Sequence, residues 1–326
     1  MRARAVRIHE TGGPEVMRLE EIEVPEPGPG EARVRHEFAG VNFIDSYHRG
    51  GLYPAKLPLA LGQEGAGVVE SVGPGVRSVT AGDRVAYVGG PPGSYSDIRL
   101  IQADRLIPLP DAIDTRTAAA ITLRGMTVEY LIRRTFPVTA GMTVLWHAAA
   151  GGVGLLACEW LSSIGATVIG TVGSEQKAAL ARNHGCAHTI NYNKEGFVGR
   201  VRELTGGRGV PVVYDGVGRS TLAGSLDCLA PRGLCVSFGN ASGRPEPVDV
   251  LTLAERGSVY LTRPRLADYT GTRAELLESA SALFEAVAQK RITVEIGQEF
   301  ALEQAAEALE ALEERQTTGS TILSMG

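Results

Sequence analysis

The chain has 326 residues, room for roughly two domains of ordinary size, each able to bury a core. Hydrophobic residues make up 44% and charged residues 21%, a globular composition. With 32 basic against 37 acidic residues and no basic block, the formal charge of −5 argues against nucleic acid or an anionic membrane as the main partner.

Residues 1 to about 110 read as β-rich. Short alternating segments recur at Ala3–Ile8, Ala32–Ala39, Gly67–Val72, Arg84–Val88 and Ser96–Leu100. Gly and Pro clusters separate them, among them Gly73-Pro74-Gly75, which is the turn spacing of a small barrel or sandwich. The alternation begins at the N-terminus without an apolar h-region, so that segment reads as a strand and not a signal peptide. Near Asp114 the pattern changes, and Thr117–Arg134 has helical spacing. From Met142 onward strands and helices alternate. The strands are Thr143–Ala148, Thr167–Val172, His188–Asn191, Val210–Asp215, Leu234–Phe238 and Ser258–Thr262. The helices between them are Gly152–Ser163, Glu175–Asn183, Glu195–Thr205 and Thr221–Leu229. Such alternation implies a parallel sheet with helices on both faces. The tail carries two amphipathic helices, Arg273–Gln289 and Glu303–Glu314, and a last strand, Ser320–Ser324, expected to return to the N-terminal barrel.

The four cysteines, Cys158, Cys186, Cys228 and Cys235, form no C-x-x-C pair, which fits a reducing compartment. No apolar run approaches the ~20 residues of a spanning helix, and a cytoplasmic location is expected.

The strongest local signal is Thr143-Val-Leu-Trp-His-Ala-Ala-Ala-Gly-Gly-Val-Gly154, a strand running through small residues into a helix. Its spacing, Ala148-x-x-Gly151-x-x-Gly154, is a variant of the dinucleotide fingerprint. Small residues let the backbone turn tightly against a pyrophosphate, whose charge then lies at the helix N-terminus. The alternative is a strand–helix turn that binds nothing. The next strand ends Thr171-Val172-Gly173-Ser174 with no acid at its tip, and the first acid, Glu175, already opens a helix. An acid there would bond the ribose 2′-hydroxyl of NAD and repel a 2′-phosphate. Gly173 and Ser174 leave room for that phosphate and Lys177 offers it positive charge, so NADPH is favoured over NADH. The competing reading makes Lys177 a solvated helix lysine and Gly173 a turn residue.

The fingerprint, together with Val41-Asn42-Phe43-Ile44-Asp45 and Leu61-Gly62-Gln63-Glu64-Gly65-Ala66-Gly67, resembles the medium-chain dehydrogenase/reductase superfamily. Within it the chain is similar to the zeta-crystallin-like NADPH:quinone reductases. Tyr214-Asp215-Gly216-Val217-Gly218 and Val236-Ser237-Phe238-Gly239-Asn240 extend the match, which covers essentially the whole chain. The resemblance implies an α/β architecture. A GroES-like β-barrel domain, residues 1–124 plus 264–326, carries an inserted doubly wound Rossmann parallel-sheet domain, residues 125–263. It also implies an active site in the cleft between domains and a homodimer through the last Rossmann strand, Ser258 to Thr262.

Zinc enzymes of this superfamily carry a cysteine, a G-H-E motif and a second cysteine as catalytic ligands. At those places this chain has Asn42, Gln63 and the segment Thr122-Leu123-Arg124, and it has no cysteine cluster near residues 90–110. Zinc is held by thiolate, imidazole or carboxylate, so no metal is expected. Without a Lewis acid the fitting acceptor is one already prone to take hydride, a quinone or an α,β-unsaturated carbonyl.

By resemblance, Asn42, Asp45, Tyr47, Tyr53 and Gln63 line the site near the nicotinamide. Asn42, Gln63 and the tyrosines are able to donate hydrogen bonds to a quinone oxygen, while Asp45 is read as bonding backbone or ribose. The resemblance assigns the cofactor to Asn42, Thr127, Ala150, Gly151, Gly152, Val153, Gly173, Ser174, Lys177, Tyr192, Phe238, Gly239, Asn240 and Arg263. The leading expectation is NADPH-dependent quinone reduction. The rivals are an NADPH-dependent enone or alkenal reductase and, from another class, a non-catalytic NADPH- or RNA-binding crystallin-like protein.

Overall fold

The computed structural model describes every residue, Met1–Gly326. In chain order the elements are β1 (Arg2–Ile8), β2 (Arg18–Glu23), β3 (Glu31–Val41), α1 (Phe43–Arg49), β4 (Leu59–Ala60), β5 (Glu64–Val72), β6 (Arg84–Val88), β7 (Ile98–Gln102), β8 (Ile107–Pro108) and α2 (Thr115–Tyr130). There follow β9 (Thr143–Trp146), α3 (Gly152–Ile164), β10 (Thr167–Val172), α4 (Glu175–Asn183), β11 (His188–Asn191), α5 (Phe197–Leu204), β12 (Val210–Asp215), α6 (Leu222–Asp227), β13 (Leu229–Ser237), α7 (Leu251–Glu255) and β14 (Tyr260–Thr262). The tail adds α8 (Leu266–Tyr269), α9 (Arg273–Ala288), β15 (Ile296–Ala301), α10 (Ala305–Glu313) and β16 (Ser320–Ser324). They gather into two units, Met1–Met126 with Thr270–Ala288 and Val294–Gly326, and Thr127–Tyr269 with Gln289–Thr293.

The first unit is built on β3. Its residues alternate, Ala32 and Val34 inward and buried, Arg33 and Arg35 outward, as a half-buried strand requires. β3 takes antiparallel partners in β5, β7 and β16, within a seven-stranded sheet ordered β15-β16-β3-β5-β6-β8. A three-stranded sheet, β2-β1-β4, completes the β structure. The tail does return here: β16 pairs Thr321 with Val41 and Ser324 with Phe38. Leu309 of α10 and Leu323 of β16 pack with Val6, Ile8, Val41, Leu61 and Tyr95 in one core. Arg49, at the end of α1, is held by both carboxylate oxygens of Glu313 and by the carbonyl of Gly12. A bidentate pair of this kind fixes orientation as well as charge.

The second unit is a six-stranded sheet in the order β11-β10-β9-β12-β13-β14, parallel at every junction. Counted from its own first strand, this is the doubly wound order 3-2-1-4-5-6. The direction of winding reverses between β9 and β12. Leu145, Ile169, Ile190, Val213 and Cys235, one from each of five strands, share one buried cluster under the helices.

Several segments depart from expectation, each for a local reason. β9 ends at Trp146, two residues early, because Ala148 takes a left-handed φ of 53° that no strand tolerates. The last strand of the parallel sheet begins at Tyr260, since Ser258 is likewise left-handed at φ 58°. The helix expected at Thr117–Arg134 is α2 followed by a wider turn at Leu131–Thr135. The strand expected at Ser96–Leu100 pairs two residues later, at Ile98–Gln102. Seven elements were not expected: β2, whose exposed charged face hides its alternation, α1, which is only seven residues long, β15, and the short β4, β8, α7 and α8.

Gly154 shows how closely α3 lies on the turn before it. A Cβ there would stand 2.3 Å from the Ala148 carbonyl oxygen and 2.7 Å from the Ala149 carbonyl carbon. Both are backbone atoms that no rotamer change relieves. Gly154→Ala gains about 1 kcal/mol of helix propensity but incurs about 1–3 kcal/mol or more of overpacking. The expected net result is a lower urea midpoint; a midpoint equal to or above that of the parent chain would contradict this close packing.

Candidate functional site

In the first unit the predicted site residues converge on the start of α1. Asn42 is the residue before the helix and is 7% exposed; Asp45, in its first turn, is fully buried. Asp45 Oδ2 accepts the Asn42 backbone N–H at 2.9 Å and the Tyr95 hydroxyl at 2.8 Å. Its other oxygen is buried with no partner. Burial therefore pushes the Asp45 carboxyl up to about 7, against the pull of these two donors. Asn42 Nδ2 donates to Glu64 Oε1 at 2.7 Å, and Leu123 N–H donates to Glu64 Oε2. Glu64 is fully buried, and burial raises its carboxyl while the buried Arg124 guanidinium lowers it. Arg124 in turn donates to the carbonyls of Val41 and Ala120.

Beside this network lies an aromatic group. Tyr53 stands edge-on to Tyr47, with ring centroids 5.2 Å apart, and edge-on to His48 at 5.8 Å. Gln63, 6% exposed, has Nε2 3.2 Å from His48 Nε2. The structure thus brings Asn42 and Asp45 into direct contact, joins Tyr47 to Tyr53, and connects Gln63 to the latter pair through His48. Sequence reasoning did not single out Glu64, Tyr95, Arg124 or His48. Glu64 had a signal, lying in the same run as Gln63; Tyr95 reaches Asp45 from 50 residues away and had none.

In the second unit the fingerprint residues occupy the carboxyl end of β9. Gly151 precedes α3 and no side chain caps the helix, so its first-turn N–H groups are available to an anion. Ala150 is buried, and Gly152 and Val153 form the first turn. At the end of β10, Ser174 caps α4, its hydroxyl accepting the Lys177 N–H at 3.2 Å. Tyr192 follows β11, is 42% exposed, and places its hydroxyl 2.6 Å from where a Cβ on Gly173 would be. Glu175 pairs with Lys194 at 2.9 Å and accepts from Asn191; these partners hold its carboxyl below the usual range. The one acid near the β10 tip is thereby countered. Phe238, Gly239 and Asn240 follow β13, and Arg263, just past β14, donates to the Gly239 carbonyl at 3.2 Å. The Asn240 carboxamide is satisfied with its oxygen facing Arg263 Nη2 at 3.2 Å. Thr127 is half-buried on α2. The uncapped helix, the close glycine turn and the countered acid together fit a 2′-phosphorylated dinucleotide.

The donor set at the start of α1 does not fit zinc. Asn42 and Gln63 present neutral amides and Leu123 a hydrocarbon, where zinc needs thiolate, imidazole or carboxylate. No three His, Cys, Asp or Glu side chains gather anywhere in the fold.

The raised Asp45 carboxyl has a signed consequence for stability. Its folded value, about 7, lies above its ordinary 3.8, so the folded chain binds the extra proton between the two. Its contribution is complete below the ordinary value and lost as pH rises through the folded one. Asp45→Asn is expected to flatten the decline in urea-unfolding stability between about pH 4 and about pH 7, a difference on the order of a few kcal/mol. An equal decline in parent and variant would refute the assignment.

Residues 152–281 match the family model described as zinc-binding dehydrogenase, and residues 28–111 that of the alcohol dehydrogenase GroES-like domain. The chain is 50% identical over 322 residues to the quinone oxidoreductase of Pseudomonas aeruginosa, covering 98% of this chain and 99% of that one. It is 46% identical over 326 residues to the 2-haloacrylate reductase of a Burkholderia species, 98% of each. The solved structure of Escherichia coli quinone oxidoreductase complexed with NADPH aligns with a TM-score of 0.97 at 46% identity, covering 99% of this chain and 100% of that one. With this level of identity along its full length, the chain belongs to the quinone oxidoreductases of the medium-chain dehydrogenase/reductase superfamily.

Proposed function

We propose that this protein uses NADPH to reduce quinones without a metal ion. The observation that carries the reading is the amide pair Asn42 and Gln63, standing where a zinc enzyme needs charged or imidazole ligands. The nicotinamide, when bound, supplies the hydride. The chain's own work is to hold the dinucleotide and to orient the acceptor. Ala150, Gly151, Gly152 and Val153 cradle the pyrophosphate; Gly173, Ser174, Lys177 and Tyr192 receive the 2′-phosphorylated ribose. Thr127, Phe238, Gly239, Asn240 and Arg263 are further cofactor contacts in the dinucleotide domain, and Asn42 is the one assigned to the catalytic domain. Glu64 takes one hydrogen of the Asn42 Nδ2, which fixes the amide and leaves its second N–H as a donor toward a ligand. Gln63, Tyr47 and Tyr53 supply donors toward the quinone oxygen, and Asp45 holds the start of α1. The catalytic domain comprises residues 1–124 and 264–326, and the dinucleotide domain residues 125–263.

A second reading, reduction of an activated carbon–carbon double bond, is favoured by the full-length likeness to a 2-haloacrylate reductase. Both acceptors take hydride without a Lewis acid. Anaerobic NADPH oxidation with 1,4-benzoquinone, set against a small enone and 2-chloroacrylate, separates them. Faster turnover of the quinone, unchanged after chelator treatment, is expected; loss of activity with chelator would overturn the metal-free reading.

We also propose a cytoplasmic homodimer formed through β14. Support comes from its place at the sheet edge and from exposed apolar neighbours: Tyr260 is 61% exposed, Leu251 67% and Val250 73%. No helix is long and apolar enough to cross a membrane.

Lys177→Ala is expected to weaken NADPH binding about tenfold while leaving NADH binding nearly unchanged, measured by nucleotide fluorescence titration. Equal losses for both nucleotides would remove Lys177 from the 2′-phosphate site. Tyr260→Lys is expected to shift the light-scattering mass toward the monomer; an unchanged mass would move the interface elsewhere.

A further inference from the structure

β9 and β12 are neighbours at the point where the sheet reverses its winding, and a buried polar chain joins their carboxyl ends. It begins at Asp215, the last residue of β12, and ends at the left-handed Ala148 beyond β9. Asp215 Oδ1 receives the Val217 N–H, the Gly218 N–H and the Thr221 hydroxyl. Its Oδ2 receives the Ser225 hydroxyl at 2.7 Å. Donors converge on both oxygens, an arrangement that only an acceptor satisfies.

That convergence fixes every proton along the chain. Ser225 has spent its single hydrogen on Asp215, so toward His147 Nε2, 2.9 Å away, it can only accept. His147 Nε2 therefore carries the ring proton and Nδ1 presents a lone pair. Nδ1 then accepts from the Thr171 hydroxyl at 2.9 Å, which leaves Thr171 Oγ1 facing the Ala148 N–H, at 3.3 Å, as an acceptor. Asp215, Ser225, His147 and Thr171 are each at most 2% exposed, so no water competes for these bonds.

We infer that His147 is a positioning residue for the phosphate turn: through Thr171 it holds the Ala148 N–H and the left-handed backbone there, and through Ser225 it ties that turn to the Asp215–Gly218 turn. The inference rests on the cofactor reading above and adds to it a one-way hydrogen-bond chain that sets both turns together. The Asp215–Gly218 turn in turn receives the Ala241 and Ser242 N–H groups, so the loop after β13 is held by the same anchor. The nucleotide then meets turns already in register and need not order them on binding.

Nitrogen NMR of the His147 ring tests the proton directions in the unmodified chain. Nε2 is expected to resonate as protonated and Nδ1 as unprotonated; the reverse tautomer overturns the proposal. Thr171→Val and Ser225→Ala each cut the chain at a different bond. Each is expected to raise the NADPH Kd about tenfold, with the loss falling on KM for NADPH and not on kcat. Their double variant is expected to bind no more than about threefold more weakly than either single one, since a severed chain is severed once. Thr171→Ser keeps the hydroxyl and is expected to restore the parent Kd. Additive losses, or variant Kd values equal to that of a parent that binds NADPH, overturn the proposal alone. A parent chain that fails to bind NADPH overturns the cofactor reading and this proposal with it.

Discussion

The approach of α3 to the backbone of residues 148–149 is the constraint on which the second unit depends. β9 must stop, reverse and release a helix within a few residues, and the helix must begin against the turn it has just left. That geometry admits no side chain at residue 154 and forces a left-handed residue at 148. It leaves a helix N-terminus at the sheet's carboxyl edge without a side-chain cap, a place where a phosphate is better solvated by N–H groups than by water alone. The parallel order on either side of β9 makes this edge the crevice of a doubly wound sheet.

In the first unit the governing term is desolvation. Asp45, Glu64 and Arg124 are all buried, and burying charge is costly unless each group is bonded and paired. Glu64 meets that demand through Asn42, Leu123 and the nearby Arg124; Asp45 meets it with one oxygen only. The result is an amide, Asn42, whose orientation is dictated from behind by a carboxylate and whose backbone is held by another. A zinc ligand in the same place would have been a charged group facing the metal. Here the charge lies on Glu64, and Asn42 itself is a neutral amide.

The β10 tip shows a related economy. A single carboxylate, Glu175, stands just past the β10 tip, and Lys194 and Asn191 draw it into their own contacts. The pair is exposed and contributes little to stability. Its weight is in local potential: the negative charge of Glu175 at the β10 tip is offset by Lys194.

How much of this was legible in the sequence depends on the range of the interactions involved. Thr167–Val172, Glu175–Asn183, His188–Asn191, Val210–Asp215 and Ser320–Ser324 were each bounded to the residue, because alternation or helical spacing met a turn signal at both ends. The glycine spacing located the tight turn between β9 and α3, since close backbone approach demands small residues wherever it occurs. Strand ends at Ala148 and Ser258 were overstated, because a left-handed residue other than glycine carries no local mark. The sequence by itself determined the doubly wound sheet, the return of the tail to the first unit and the absence of zinc-type donors at Asn42 and Gln63. Only the tertiary structure decided that Tyr95 bonds Asp45, that Glu64 turns the Asn42 amide, and that Asp215 reaches His147 through Ser225. Those contacts join residues far apart in the chain, and their partners are chosen by burial and by the need to satisfy every buried polar atom, which no local pattern encodes.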